Sequence, residues 1–211
     1  IEAEKMANET MTEEMTVTCF YHVALALSYM HNRNMVHRDI KPENILAFSE
    51  NNFVLSDFSV STKLKQPDER LSDTKGSPAF LSPEECSKGD FAPKPADVWA
   101  YGVSLYMVLF RSLPFGIGEG NGNTVADAML HVSKNLESES LQFPENANPQ
   151  AVALLSRLLD KNPNERPTFD MIVNDNFFEK LRDMDLRSYA DGIELLSSKF
   201  GDTSEGSFRI E

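Results

Sequence analysis

Two short polar segments, His37-Arg38-Asp39-Ile40-Lys41-Pro42-Glu43-Asn44 and Asp57-Phe58-Ser59, constrain this chain more than any other feature. Between them lie two apolar runs, Ile45-Leu46-Ala47 and Phe53-Val54-Leu55, separated by Asn51-Asn52. Two such runs about an Asn-Asn turn predict a small hairpin. A hairpin returns the chain to its starting point, so it brings Asp39 and Asp57, 18 positions apart, near each other. The first segment packs an acid, a base and an amide into eight residues. Asp39 can orient a hydroxyl and accept its proton, and Lys41 can neutralise charge on a transferring phosphoryl group. Asn44 offers an oxygen to a hard cation such as Mg²⁺. Asp57 and Asn44 could then share metal ions bound to nucleotide phosphates. Phosphoryl transfer asks mainly for positioning and charge neutralisation, which these residue types supply. Taken alone, the first segment also fits a plain solvated surface loop.

The rest of the chain is mostly helical in pattern. Thr12 can cap a helix whose first turn carries Glu13 and Glu14, where negative charge suits the positive end. Phe20, Val23, Ala24, Leu27 and Met30 recur at three-and-four spacing, so one face is apolar as far as Asn32–Asn34. Residues 59–96, with five prolines, read as irregular, and a loop that long inside a compact domain is usually functional. A buried helix is expected over 97–111, with further helices at about 124–135, 149–160 and 168–180. Beyond about Leu181 the composition turns polar and acidic, so residues 1–180 are expected to be one domain and 181–211 a loosely packed tail.

Composition narrows the function classes. A net charge of −13 repels phosphate backbones and acidic membrane surfaces, which argues against nucleic-acid binding. No apolar stretch reaches the roughly 18–20 residues of a membrane span. The acidic first residues do not resemble a targeting segment. Two cysteines, Cys19 and Cys86, without a CxxC or a neighbouring histidine pair, point to neither zinc nor a disulfide framework. A cytoplasmic location is the expectation from these features.

Five ordered motifs together carry a resemblance. His37–Asn44 resembles the catalytic loop of protein kinases, H-R-D-x-x-x-x-N, and Asp57-Phe58-Ser59 resembles their D-F-G. Gly76-Ser77-Pro78-Ala79-Phe80-Leu81-Ser82-Pro83-Glu84 resembles the end of the activation segment, with Ser-Pro-Glu in place of Ala-Pro-Glu. Asp97-Val98-Trp99-Ala100-Tyr101-Gly102 resembles the D-x-W-x-x-G opening of the central helix, and Leu159 to Pro167 the closing region that contains Arg166. The match covers about residues 12–180. It implies a mainly α fold: the large, C-terminal lobe of a protein kinase with a small β-hairpin. No glycine-rich loop, strand lysine or partner glutamate precedes Asp39, so the small N-terminal lobe is expected to be absent from this sequence.

The resemblance implies specific roles. Asp39 would be the catalytic base, Lys41 would contact the transferring phosphate, and Asn44 and Asp57 would hold Mg²⁺. Leu46 would lie under the adenine of ATP. Arg38 would pair with an activation-segment phosphate, and His37 would stack on Phe58. Asp97 would bind backbone amides of the catalytic loop, and Glu84 and Arg166 would form a buried ion pair. Lys41 together with Gly76-Ser77-Pro78 resembles the serine/threonine subgroup, so the substrates would be protein Ser/Thr hydroxyls. Ser77 would bridge Asp39 and Lys41, and Glu43 would read a basic residue upstream of the phosphosite. Asp73-Thr74-Lys75-Gly76-Ser77-Pro78-Ala79-Phe80 and Leu159-Asp160-Lys161-Asn162-Pro163 look most like the calcium/calmodulin-dependent protein kinase kinases. A regulatory partner fits this picture without being identified by it.

Departures from the family pattern matter too. Ser59 replaces the usual glycine, which tolerates backbone angles that serine resists, so the loop is expected to flip less easily. Asp73 lies where many relatives carry a phosphorylated hydroxyl and would partly substitute for it by facing Arg38. Ser72, Thr74 and Ser77 are phosphorylation candidates, Thr74 first. Gly116 to Gly122 mimics a phosphate-cradling loop, but it follows a helix and reads as an inter-helix connection. Two functions compete: a serine/threonine kinase using ATP and Mg²⁺, and an inactive lobe that serves as a scaffold for signalling partners. The intact set Asp39, Lys41, Asn44 and Asp57 favours the kinase.

Overall fold

The computed structural model describes residues 11–49, 52–87, 89–116 and 125–182. The predicted tail, most of the glycine-rich stretch after Gly116, and Asn51 of the hairpin turn lie outside the described residues.

Helix α1 (Glu13–Asn32) begins where Thr12 caps it, the threonine hydroxyl accepting from the Met15 amide. Its apolar stripe buries Phe20, Val23, Ala24, Leu27 and Met30. Strand β1 (Met35–Val36) follows, then a 3₁₀ turn at Pro42–Asn44, then β2 (Ile45–Ser49) and β3 (Asn52–Leu55). The last two form the expected antiparallel hairpin, with Ile45 opposite Leu55 and Leu46 opposite Val54. The side-chain period of two turns Phe53 and Leu55 into the core and leaves Leu46 and Val54 on the open face.

The segment 59–96 is more ordered than its prolines suggest. Strand β4 (Thr62–Lys63) pairs antiparallel with β1, Val36 facing Thr62. A 3₁₀ turn at Pro78–Phe80 and a short helix α2 (Pro83–Cys86) follow. The buried helix α3 runs Pro93–Phe110, four residues earlier than the pattern predicts. The reason is local. Pro93 and Pro95 occupy the first turn, where amides have no intrahelical partner, so proline costs nothing there.

Helices α4 (Val125–Ser138), α5 (Pro149–Leu158) and α6 (Phe169–Val173) complete the large elements. The helix expected over 168–180 stops at Asn174, because Asp175 adopts extended backbone and its carboxylate caps a 3₁₀ turn at Asn176–Phe178. Helix α3 is the core of the molecule: Trp99, Tyr101, Val103 and Leu105 have no exposed surface. Tyr101 packs edge-on against Phe20 of α1 and donates its hydroxyl to the Phe20 carbonyl at 2.8 Å. The architecture is therefore mainly α, with two two-stranded antiparallel ribbons among the described residues.

Gly102 of α3 lies directly against the C-terminal end of α5. A Cβ placed there would sit 2.9 Å from Leu158 Cβ and 3.0 Å from Leu159 Cδ2. Both neighbours are buried and cannot retreat. We expect Gly102→Ala to destabilise the fold by about 1–3 kcal/mol through overpacking, measured by denaturant unfolding with an unchanged m-value.

Candidate active site

The loop between β1 and β2 is fixed from beneath by one carboxylate. Asp97, near the start of α3 and 2% exposed, accepts the His37 amide on Oδ2 and the Arg38 amide on Oδ1, both at 2.8 Å. His31 adds its Nε2 to Asp97 Oδ2 at 2.8 Å. These bonds hold Arg38 in left-handed backbone, φ 72°, which a non-glycine residue rarely adopts unaided. His37 is fully buried; its Nδ1 accepts the Asp39 amide at 3.3 Å and its Nε2 donates to the Ser56 carbonyl at 3.1 Å. That pattern suits the tautomer with the proton on Nε2.

Asp39 stands at the centre. Its Oδ2 takes Lys41 Nζ at 2.8 Å and Asn44 Nδ2 at 3.0 Å. Its Oδ1 takes the amide and the hydroxyl of Ser77, each at 3.0 Å. Lys41 Nζ also donates to Ser77 Oγ at 2.8 Å, so the serine bridges the acid and the base. Burial pushes the Asp39 carboxyl up, but hydrogen bonds from Lys41, Ser77 and Asn44 and the Lys41 charge outweigh it and hold it below its ordinary value. The group is therefore ionised at neutral pH and available as an acceptor. Gly76 makes this contact possible. It has φ +94°, and a Cβ there would lie 2.4 Å from the Arg38 carbonyl.

Asn44 donates Nδ2 also to the Asp39 carbonyl at 2.7 Å, while its own carbonyl accepts the amide and the hydroxyl of Ser56. With Nδ2 committed, Oδ1 is the atom the side chain has for a cation. Asp57 is fully exposed and has φ 60°. Hydrogen bonds from the Ser59 hydroxyl and amide hold its carboxyl below the usual range, with nearby Asp39 opposing and Lys41 assisting. Phe58 packs edge-on against His37, ring centroids 5.2 Å apart, yet stays 51% exposed.

The donor set fits Mg²⁺ better than a fully protein-bound metal. Among the described residues no three His, Cys, Asp or Glu side chains converge on a metal-sized site. Mg²⁺ usually takes one or two carboxylates and completes its shell with water and substrate phosphates. Asp57 and Asn44 Oδ1 are hard oxygen donors of that kind.

The segment from Asp73 to Glu84 is anchored at two further points. Arg166 grips Glu84 with both amino groups, Nη1 to Oε1 at 2.6 Å and Nη2 to Oε2 at 2.9 Å. It also donates to the Asp160 and Pro95 carbonyls and lies over the Trp99 ring. Arg38 reaches Asp73, with Nη2 3.1 Å from Oδ1. Thr74, the first phosphorylation candidate, turns its hydroxyl to the Glu85 carbonyl at 3.1 Å. Leu46 lies on the open face of the hairpin, and Glu43 is exposed beside the loop.

Two participants are missing from the motif-based picture. His31 lies four residues after Leu27, so helical spacing already put it on the buried stripe of α1. Glu85 closes a capping box with Ser82, and Ser82-Pro83-Glu84-Glu85 carries the sequence signature of that motif. Glu85 Oε2 accepts the Ser82 amide at 2.9 Å and the Ser82 hydroxyl at 2.8 Å. Burial pushes its carboxyl up to about 7, with the Glu84 and Asp97 charges adding to the effect.

The native state thus keeps a proton on Glu85 that the unfolded chain releases near the ordinary value of 4.5. Stability from this group is complete below that value and is lost as pH rises through about 7. We expect the protein to lose on the order of 3 kcal/mol across that window, and Glu85→Gln to flatten the slope. Thermal unfolding from pH 4.5 to 8 checks it; an unchanged slope in the variant would assign the loss to other groups.

The family model described as "Protein kinase domain" matches residues 2–178. The chain is 38% identical over 162 residues to the serine/threonine-protein kinase ppk34 of Schizosaccharomyces pombe, covering 75% of this chain and 42% of the relative. It is 33% identical over 179 residues to the CBL-interacting serine/threonine-protein kinase 20 of Arabidopsis thaliana, covering 84% and 39%. With the serine/threonine-protein kinase GRIK1 of the same plant it shares 36% over 151 residues, covering 72% and 36%. The chain spans about two fifths of the length of these relatives.

Proposed function

The chain belongs to the protein kinase family, and from that premise we propose that it transfers the γ-phosphoryl group of ATP to serine and threonine hydroxyls of protein substrates. The observation that carries the proposal is the bridged group of Asp39, Lys41 and Ser77, with Asn44 behind it and Asp57 within electrostatic reach.

In the proposed reaction the substrate hydroxyl takes a place at Asp39. Its oxygen attacks the γ-phosphorus, the bond to the β,γ-bridging oxygen breaks, ADP leaves, and the hydroxyl proton passes to Asp39 Oδ. Lys41, already drawn to this carboxylate, neutralises charge on the moving phosphoryl group. Asn44 and Asp57 would hold Mg²⁺, which when bound shields the charge of the nucleotide phosphates. Ser59, by donating to Asp57, keeps that carboxylate from turning away. Leu46 and Val54 offer an apolar floor for adenine. We place the other wall of the nucleotide site in a small lobe outside residues 11–182. The open apolar surface of Leu46, Val54 and Phe58 supports a cover of that kind.

Finer assignments belong to the same proposal. The activation-segment sequence around Gly76-Ser77-Pro78 and the stretch Leu159–Pro163 support the calcium/calmodulin-dependent kinase kinase group, although the relatives described above carry other names. The CBL-interacting kinase of Arabidopsis is named for a protein partner. A regulatory partner is proposed here as well. A pure scaffold has no use for the hydrogen-bonded group at Asp39.

The test is phosphate transfer from labelled ATP to a set of basic Ser/Thr peptides by the full-length protein. Asp39→Asn and Asp57→Asn should each lower the rate by about 10²–10⁴-fold without unfolding the protein. Wild-type rates in both variants would sink the assignment.

A further inference from the structure

Arg38 carries its charge into the protein: its side chain is only 3% exposed. An ion held that deep is costly unless it is paired. Here the partner is a carboxylate of the chain itself. Nη2 lies 3.1 Å from Asp73 Oδ1, Nη1 donates to Asp73 Oδ2 at 3.4 Å, and Nη2 also donates to the Asp73 carbonyl. Thr62 takes Nη1 at 3.0 Å from the β4 side. Lys75 approaches Asp73 Oδ2 at 3.2 Å from the other flank, which leaves the aspartate between two cations.

The docking of the segment continues from there without interruption. Three residues on, Gly76 lies against the Arg38 carbonyl, and Ser77 is bonded to Asp39 and Lys41. Between them, the Thr74 hydroxyl is spent on the Glu85 carbonyl, turned away from Arg38. The hydroxyl that would carry a phosphate therefore does not face the buried cation, and the carboxylate beside it does.

We propose that Asp73 is a permanent counter-ion for Arg38, so that the activation segment docks on the catalytic loop without any phosphate on it. The consequence for activity rests on the proposed kinase function: the unphosphorylated protein is already competent, and control acts elsewhere than on this segment. Asp73 is a positioning residue here, because it touches no reacting atom and acts through Arg38.

The experiment uses the full-length protein, treated with a phosphatase and shown by mass spectrometry to be free of phosphate. Two readouts are taken on wild type, Asp73→Asn, Asp73→Glu and Thr74→Val: amide hydrogen exchange over residues 73–77, and phosphate transfer to peptide. Phosphate-free wild type and Thr74→Val should keep the segment protected and transfer phosphate. Asp73→Asn should speed exchange over 73–77 and slow transfer, each at least tenfold, and Asp73→Glu should restore both, which a loss of shape alone would not do. The proposal is overturned if phosphatase treatment opens the wild-type segment, or if Asp73→Asn matches wild type in exchange. If no form transfers phosphate, the kinase assignment falls, while the exchange ratio still decides the role of Asp73.

Discussion

One buried carboxylate organises the reactive side of this molecule. Asp97 receives two backbone amides of the loop that carries Asp39 and, through His31, ties α1 to α3. Removing it would strand two buried donors and release the left-handed backbone at Arg38. The position of Asp39, and the direction in which Arg38 leaves the backbone, both follow from that anchor. Helix α3 can serve as the anchor because it is almost wholly buried. Its register cannot slip without exposing Trp99, Tyr101 or Leu105.

A second set of contacts reads the same loop from above. The activation segment touches it at Asp73, Gly76 and Ser77, and is fastened at its far end by Glu84 on Arg166. Arg166 in turn binds the Pro95 carbonyl at the first turn of α3. The segment and the loop that carries Asp39 therefore refer to one helix, the first through Pro95 and the second through Asp97. A shift of the segment is felt at Asp39 through the Ser77 hydroxyl. This coupling is a matter of direct hydrogen bonds over a few ångströms rather than of long-range communication.

The sequence made the framework legible because its strongest signals are local and periodic. The cap at Thr12, the stripe from Phe20 to Met30 and the hairpin across Asn52 depend on neighbours in the chain. The motifs also put Asp39, Asn44 and Asp57 on two loops joined by the hairpin, and the fold brings Asn44 onto Asp39 and Asp57 into its electrostatic reach. Proline content misled the reading of 59–96, since a proline in the first turn of a helix looks the same in sequence as one in a loop. The helix expected through 168–180 failed for a similar reason. Its apolar spacing continues past Asn174, but Asp175 uses its side chain to cap a new turn. Contacts between distant segments carried no local signal: the Asp97–His31 pair spans 66 residues, and the inward turn of the Thr74 hydroxyl depends on the α2 backbone. Glu85 was readable from its capping box, but an acid beside Glu84 looks like solvated charge until its own side chain is seen to be buried.

In the proposed reaction Asp97, without touching the reacting atoms, sets the geometry at which Asp39 would act. The most direct measurement is kcat for peptide phosphorylation by the full-length Asp97→Asn protein, taken well below its unfolding temperature. The amide that replaces one carboxylate oxygen cannot accept from a backbone N–H, so one of the two loop bonds is lost. The account predicts a fall of kcat of at least about tenfold, the cost of a displaced catalytic group. A kcat equal to wild type in a folded variant would show that the loop holds its shape without this carboxylate, and would contradict it.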